Sequence, residues 1–160
     1  MTPSIQVIEE KKLIGISQSM NLVNNKTAIL WQTFMPKRHQ ITNAIGNHLI
    51  SMQIYSNEHF AAFNPHNEFT KWACMEVSNF DFIPPTMEKF ILPAGKYAVF
   101  NYKGLPSNAA PFFNYIFIEW IPKSIYQLDD RPHFEILGEK FSNTSPESEE
   151  EVWIPIKDKN

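Results

Sequence analysis

"RPHFEILGEKF", Arg131 to Phe141, holds one residue out of keeping with its neighbours. Read with a strand's period of two, it puts Phe134 and Ile136 on one face and His133, Glu135 and Leu137 on the other. A carboxylate therefore sits mid-strand among apolar side chains. On a wet face Glu135 is an ordinary solvated acid beside a Lys or Arg. In a dry groove it is a receptor for cations, because a desolvated, unpartnered carboxylate either takes up a proton or attracts a positive charge.

Working outward, this strand falls in an order of elements that occurs twice. "IQVIEEKKLIGISQSM" predicts a long first strand, and "NNKTAILWQTFM" a helix that Asn24 or Asn25 can cap and Pro36 ends or kinks. "KRHQITNAIG" predicts a short helical piece stopping at Gly46, and "LISMQIYS" and "FTKWACMEV" predict two strands joined by a polar loop. After "FIPPT" the order recurs: "MEKFILPAGKYAVFNY" as strand, "SNAAPFFNYIFIEWI" as helix, then "RPHFEILGEK" and "EEVWIPIK" as strands. The expected architecture is α+β, a single domain over residues 1–160 made of duplicated β-α-β-β repeats, about 5–78 and 86–157, related by a pseudo-twofold axis. Two antiparallel sheets, each backed by helix, would leave a ligand groove between them. Trp72 in "TKWACMEV" and Trp153 in "EEVWIPIK" then occupy equivalent positions.

In "EEVWIPIK", Val152, Ile154 and Ile156 share one face, with Glu151, Trp153 and Pro155 on the other. If Phe134 and Ile136 pack under the second helix, Glu135 points away from it, and a neighbouring strand can bring Trp153 onto the same face. That arrangement sets an indole beside a carboxylate. Trp72 and Trp153 are thus candidate groove walls, Trp120 is equally core or wall, and Trp31 is core. Aromatic walls around one acid suit amphipathic cations.

Composition narrows the classes. The chain has 160 residues, 43% of them hydrophobic and 14% aromatic, enough for a packed core. A formal net charge of −3, with 14 scattered Lys and Arg, gives little drive for binding nucleic acid directly. No apolar run is long enough for a membrane span or a signal peptide, so a cytoplasmic protein is expected, and the Asn-x-Ser/Thr matches at Asn25 and Asn143 carry no weight. The single cysteine, Cys74 in "WACMEV", reads as a buried small hydrophobe. The five histidines, 39, 48, 59, 66 and 133, lack metal-ligand spacing, and no phosphate-binding loop or nucleophile elbow occurs among the five glycines. No metal or cofactor is expected. The acidic "SPESEEE" reads as a solvated loop.

Taken together, "LWQTFMPKR", "MEVSNFDFIPPTMEKFILPAGKYAVFNYKG", "IEWIPKSIYQLDDRPHFEILGEKF" and "EEVWIPIK" resemble the GyrI-like small-molecule-binding family, the effector-binding domain of AraC-type transcription activators. The likeness runs from about Ile5 to Lys157. It implies duplicated SHS2-like repeats and a ligand groove in which the Glu of the "FE" motif, here Glu135, faces ligands, often hydrophobic cations. Carried over in the same way, the aromatic before "IPI" matches Trp153, the "YAVF" strand supplies Tyr97 and Phe100, and the helix-end Trp matches Trp120. Leu137 and Trp153 stand where the family often has tyrosine, which favours a wider, more apolar ligand.

The resemblance implies a small-molecule binder for sensing or sequestration. A second reading makes the chain a hydrolase of strained or electrophilic xenobiotics with Glu135 as base or nucleophile. A third is a gyrase-inhibitor-type protein acting on a protein partner. With few residues before the first strand, a stand-alone domain without a DNA-binding helix-turn-helix is expected, and homodimerisation through a sheet edge stays open.

Overall fold

In the computed structural model, which describes every residue except Asn57 and Phe63, the expected first strand divides at Glu9–Glu10. Its two parts, β1 (Ser4–Ile8) and β2 (Lys11–Met20), separate within one sheet, β1 forming one edge and β2 lying next to the other. The strand opening the second half divides likewise at Pro93–Ala94 into β5 (Glu88–Leu92) and β6 (Gly95–Lys103). Proline has no amide to give a ladder, so a break there is expected. β1 pairs with β6 and β5 with β2, so the leading strand of each half is held by the other half.

The remaining strands are β3 (Leu49–Ile54), β4 (Phe69–Val77), β7 (Tyr126–Leu128), β8 (His133–Leu137) and β9 (Glu149–Asp158). The order is β1-β6-β9-β8-β3-β4-β2-β5, with β7 added to β9. It reads alike from both ends once β3 is equated with β8, β4 with β9, β2 with β6 and β1 with β5. The α+β class stands. The two expected sheets are joined edge to edge by β3 and β8, which pair antiparallel with Ser51 opposite Glu135 and Gln53 opposite His133. Strand β7, only three residues long, has too little pattern to be read from sequence.

Helix α1 (Thr27–Phe34) buries Leu30 and Phe34, four residues apart and hence on one face. The Asn25 side-chain oxygen accepts the Thr27 amide at 2.9 Å, satisfying a donor at the helix start. A 3₁₀ turn, Met35–Gln40 with Pro36 near its start, follows. The second helical arm runs through α2 (Ala110–Asn114), a π-helical segment (Tyr115–Trp120) and α3 (Ile121–Lys123), burying Phe112, Ile116 and Ile121.

Among the described residues three apolar clusters result. One lies under α1 with Ile14, Ala73 and Met75, and Trp31 packs at its margin. Another lies under the second helical arm with Ala98, Phe100, Val152, Ile154 and Ile156. The third occupies the opposite sheet face with Leu13, Ile50, Met52, Trp72, Cys74, Tyr97 and Phe134. β2 feeds Leu13 to one face and Ile14 to the other, so its apolar pattern is continuous at that point.

Gly15 sits in β2 opposite Cys74, where an added Cβ would overlap the Ala73 carbonyl oxygen and the Cys74 Cα. These are backbone atoms that cannot swing aside. Gly15→Ala is expected to destabilise the fold by about 3 kcal/mol or more, read as a lowered midpoint of urea unfolding. An unchanged midpoint would show that β2 and β4 are not so closely apposed.

Candidate ligand groove

The helix-side face of the central strands is apolar at one end, where Leu49 faces Leu137, and polar beyond it, unlike the clusters beside it. It carries Ser51 and Gln53 from β3 and His133 and Glu135 from β8. Ser51, Gln53 and His133 are buried and Glu135 is half-buried. The cluster under α1 draws on β2 and β4 and that under the second helical arm on β6 and β9. A polar floor therefore runs between two helix-backed cores. Its reverse side is apolar, because Ile50, Met52 and Phe134 alternate with these residues.

Gln53 Nε2 donates to Glu135 Oε1 and to Ser51 Oγ, both at 3.3 Å. Next to Gln53 on β4 stands Lys71, whose Nζ donates to Thr27 Oγ1 at the start of α1, 3.3 Å away. Glu150 lies two residues before Val152, the register partner of Glu135, and so projects from the same face. Among the described residues, Glu135 makes no ion pair within 4 Å.

The electrostatics follow from this setting. Burial pushes the Glu135 carboxyl up to about 7; the Lys71 charge opposes that, Glu150 adds to it, and the Gln53 hydrogen bond opposes it. Glu150 is also raised by burial, against the same lysine. Burial and then the Glu135 charge raise the Tyr55 phenol. His133 is lowered to about 3 by burial, with the His59 and Arg131 charges adding to it.

Aromatic rings cluster at one end of the floor. Tyr55 lies 4.4 Å from His59 and 4.9 Å from His133 between ring centroids. Phe60 stacks on His133 at 5.3 Å with planes 10° apart, and on Phe117 of the second helical arm at 4.9 Å. Beside them opens a depression of about 320 Å³ lined by Tyr55, Phe60, His133, Asp129, Arg131 and Lys157, among others. That is at the lower end of the range for small-molecule sites.

The structure separates several residues that sequence reading set together. Trp72, Met52, Phe134 and Trp153 form one cross-strand row, so the two tryptophans are equivalent in position. That row lies on the face away from Glu135. Val152, not Phe134, packs under the second helical arm, and alternation then sends Trp153 to the reverse side. There Trp153 stacks on Phe134 at 5.2 Å with planes 14° apart. Tyr97 is fully buried on the same side, its hydroxyl donating to the Pro132 carbonyl at 2.8 Å with the Arg131 guanidinium 4.7 Å from its ring centre. Phe100 is buried under the second helical arm, edge-on to Trp120 at 5.3 Å. Tyr55, Phe60 and Phe117 are the rings that contact His133 of the floor together with one another or His59. Gln53 and Lys71 complete its polar set.

Comparison with known proteins now bears on this arrangement. The family model for the GyrI-like small molecule binding domain matches residues 1–157. This chain belongs to that family. The transcriptional regulator BrlR of Pseudomonas aeruginosa is 30% identical over 130 residues, which cover 79% of this chain and 45% of BrlR. The GyrI-like chain thus spans less than half the length of that regulator. SAV2435, solved bound to tetraphenylphosphonium, superposes with a TM-score of 0.72 at 18% identity, covering 98% of this chain and 94% of its own. EcmrR, solved in complex with DNA, gives a TM-score of 0.74 at 13% identity over 99% of this chain and 58% of its own. These two likenesses concern the fold.

Proposed function

We propose that this GyrI-like domain, a single unit over residues 1–160 with repeats at about 5–78 and 86–157, binds an amphipathic cation in the interhelical groove for sensing or sequestration. Glu135 is the counter-ion, and Tyr55, Phe60, His133 and Phe117 are the aromatic wall. The observation that carries this reading is a half-buried carboxylate that makes no ion pair within 4 Å among the described residues, next to stacked rings. A ligand cation would supply the missing charge, and rings near it would add cation–π attraction of about 0.5 to 2 kcal/mol each. SAV2435, with its bound tetraphenylphosphonium, supports the choice of ligand class. Titration with tetraphenylphosphonium followed by tryptophan fluorescence and calorimetry tests it, with mass spectrometry of the recovered compound. Binding with an unaltered compound is expected. Recovery of triphenylphosphine oxide, formed with release of benzene and a proton as water cleaves a P–C bond, would make the chain an enzyme, and no binding would remove the proposal.

The pH dependence has a defined sign. A cation favours the ionised form of Glu135, whose free-state value lies near 7. Affinity should therefore be level above about pH 8 and fall by up to about tenfold per pH unit below 7. Calorimetric titrations from pH 5.5 to 8.5 check this, and a flat profile would exclude Glu135 as the counter-ion.

A further inference from the structure

Two half-buried carboxylates and one half-buried lysine share the groove, and their placement fixes how much positive charge it can accept. Lys71 is the cross-strand neighbour of Gln53, and Gln53 hydrogen-bonds Glu135, so lysine and acid flank the same amide side chain. Glu150 projects from the same face of β9. The Lys71 charge acts on both acids, while its Nζ is tied to Thr27 Oγ1 on α1 and makes no ion pair within 4 Å with either. The lysine is held near the acids but not on them.

We infer that Lys71 sets the charge specificity of the groove: when Glu135 and Glu150 are both ionised it leaves a net deficit of one positive charge, so the site selects monocations over dications. This rests on the groove reading above. A monocation makes the set neutral. A dication leaves an excess positive charge in a poorly solvated place and is repelled twice by Lys71. Removing Lys71 therefore helps every cation, and it helps a dication by more than a monocation, because the second, more distant charge also loses its repulsion.

The test compares hexyltrimethylammonium with hexamethonium, which carries a quaternary ammonium at both ends of the same chain, at pH 8.5 and low salt. It uses wild type, Lys71→Met, Lys71→Gln and Lys71→Arg, with tetraphenylphosphonium as a reference cation. In either neutral variant the monocation is expected to bind about tenfold tighter and the dication about thirtyfold tighter, its second ammonium lying further from Lys71, while Lys71→Arg keeps the wild-type ratio. Two neutral variants guard against one that folds poorly. If wild type binds tetraphenylphosphonium through Glu135 but the neutral variants leave the dication-to-monocation ratio unchanged, the role of Lys71 is overturned and the groove reading stands. If wild type binds no cation, both fall together.

Discussion

Glu135→Gln is expected to weaken binding of tetraphenylphosphonium by about 1 to 3 kcal/mol, roughly 5- to 150-fold, while leaving a neutral aromatic of similar shape nearly unaffected. Glutamine keeps the size and the contact with Gln53 but removes the charge. The same substitution should also stabilise the free protein. A carboxyl whose folded value lies near 7, above its ordinary 4.5, binds more protons folded than unfolded between those limits. Stability is consequently lost as pH rises from 4.5 to 7, and the loss persists above 7, reaching about 2 to 3 kcal/mol. Glu135→Gln should recover much of it at pH 8 and nothing at pH 4, as seen in urea midpoints. His133 acts in the opposite direction: with its folded value near 3, stability falls as pH drops below 6.5. A substitution that weakens binding while strengthening the fold separates a binding residue from a structural one. Loss of both together would mean that Glu135 serves the fold.

The neighbouring residue should behave in the reverse manner. Phe134 is 1% exposed, packs edge-on to Tyr97 at 5.1 Å and stacks on Trp153. It lies in the middle of the row running Trp72, Met52, Phe134, Trp153, where the two halves of the sheet meet. Phe134→Ala leaves a cavity that central strands cannot close, because hydrogen bonding to β3 on one side and β9 on the other fixes their positions. The expected cost is about 3 to 5 kcal/mol. Thermal and urea unfolding of the variant would show it, with Trp153 fluorescence as a local probe. A loss below about 1 kcal/mol would mean that this face is loosely packed.

Much of the fold was legible because it rests on periodicity. The alternation in "RPHFEILGEKF" separated Phe134 from Glu135, and the repeated element order anticipated a sheet whose strand sequence reads alike from both ends. The equivalence of Trp72 and Trp153 was also readable. What periodicity leaves open is which of two faces meets the helix. Glu135 and Trp153 each had a correct local parity, but only the pairing of Glu135 with Val152 decides that they point to opposite sides. Register depends on long-range contacts, so Trp72, Trp153 and Tyr97 were grouped with the acid although they pack behind it. Breaks at Glu9–Glu10 and Pro93–Ala94 hid the exchange of leading strands between halves. Gln53 and Lys71 join Glu135 only through the β3–β8 and β3–β4 pairings. Phe60 sits in the connection between β3 and β4, where no repeat marks it, and reaches the floor by stacking on His133.

The most direct measurement is the titration of Glu135 itself, by carbon-13 NMR of its side-chain carboxyl with and without tetraphenylphosphonium. In the free protein a midpoint near 7 is expected, falling by at least about one unit when the cation is bound. A midpoint near 4.5 that the cation does not move would show a solvated carboxylate and contradict its role as the counter-ion of the groove.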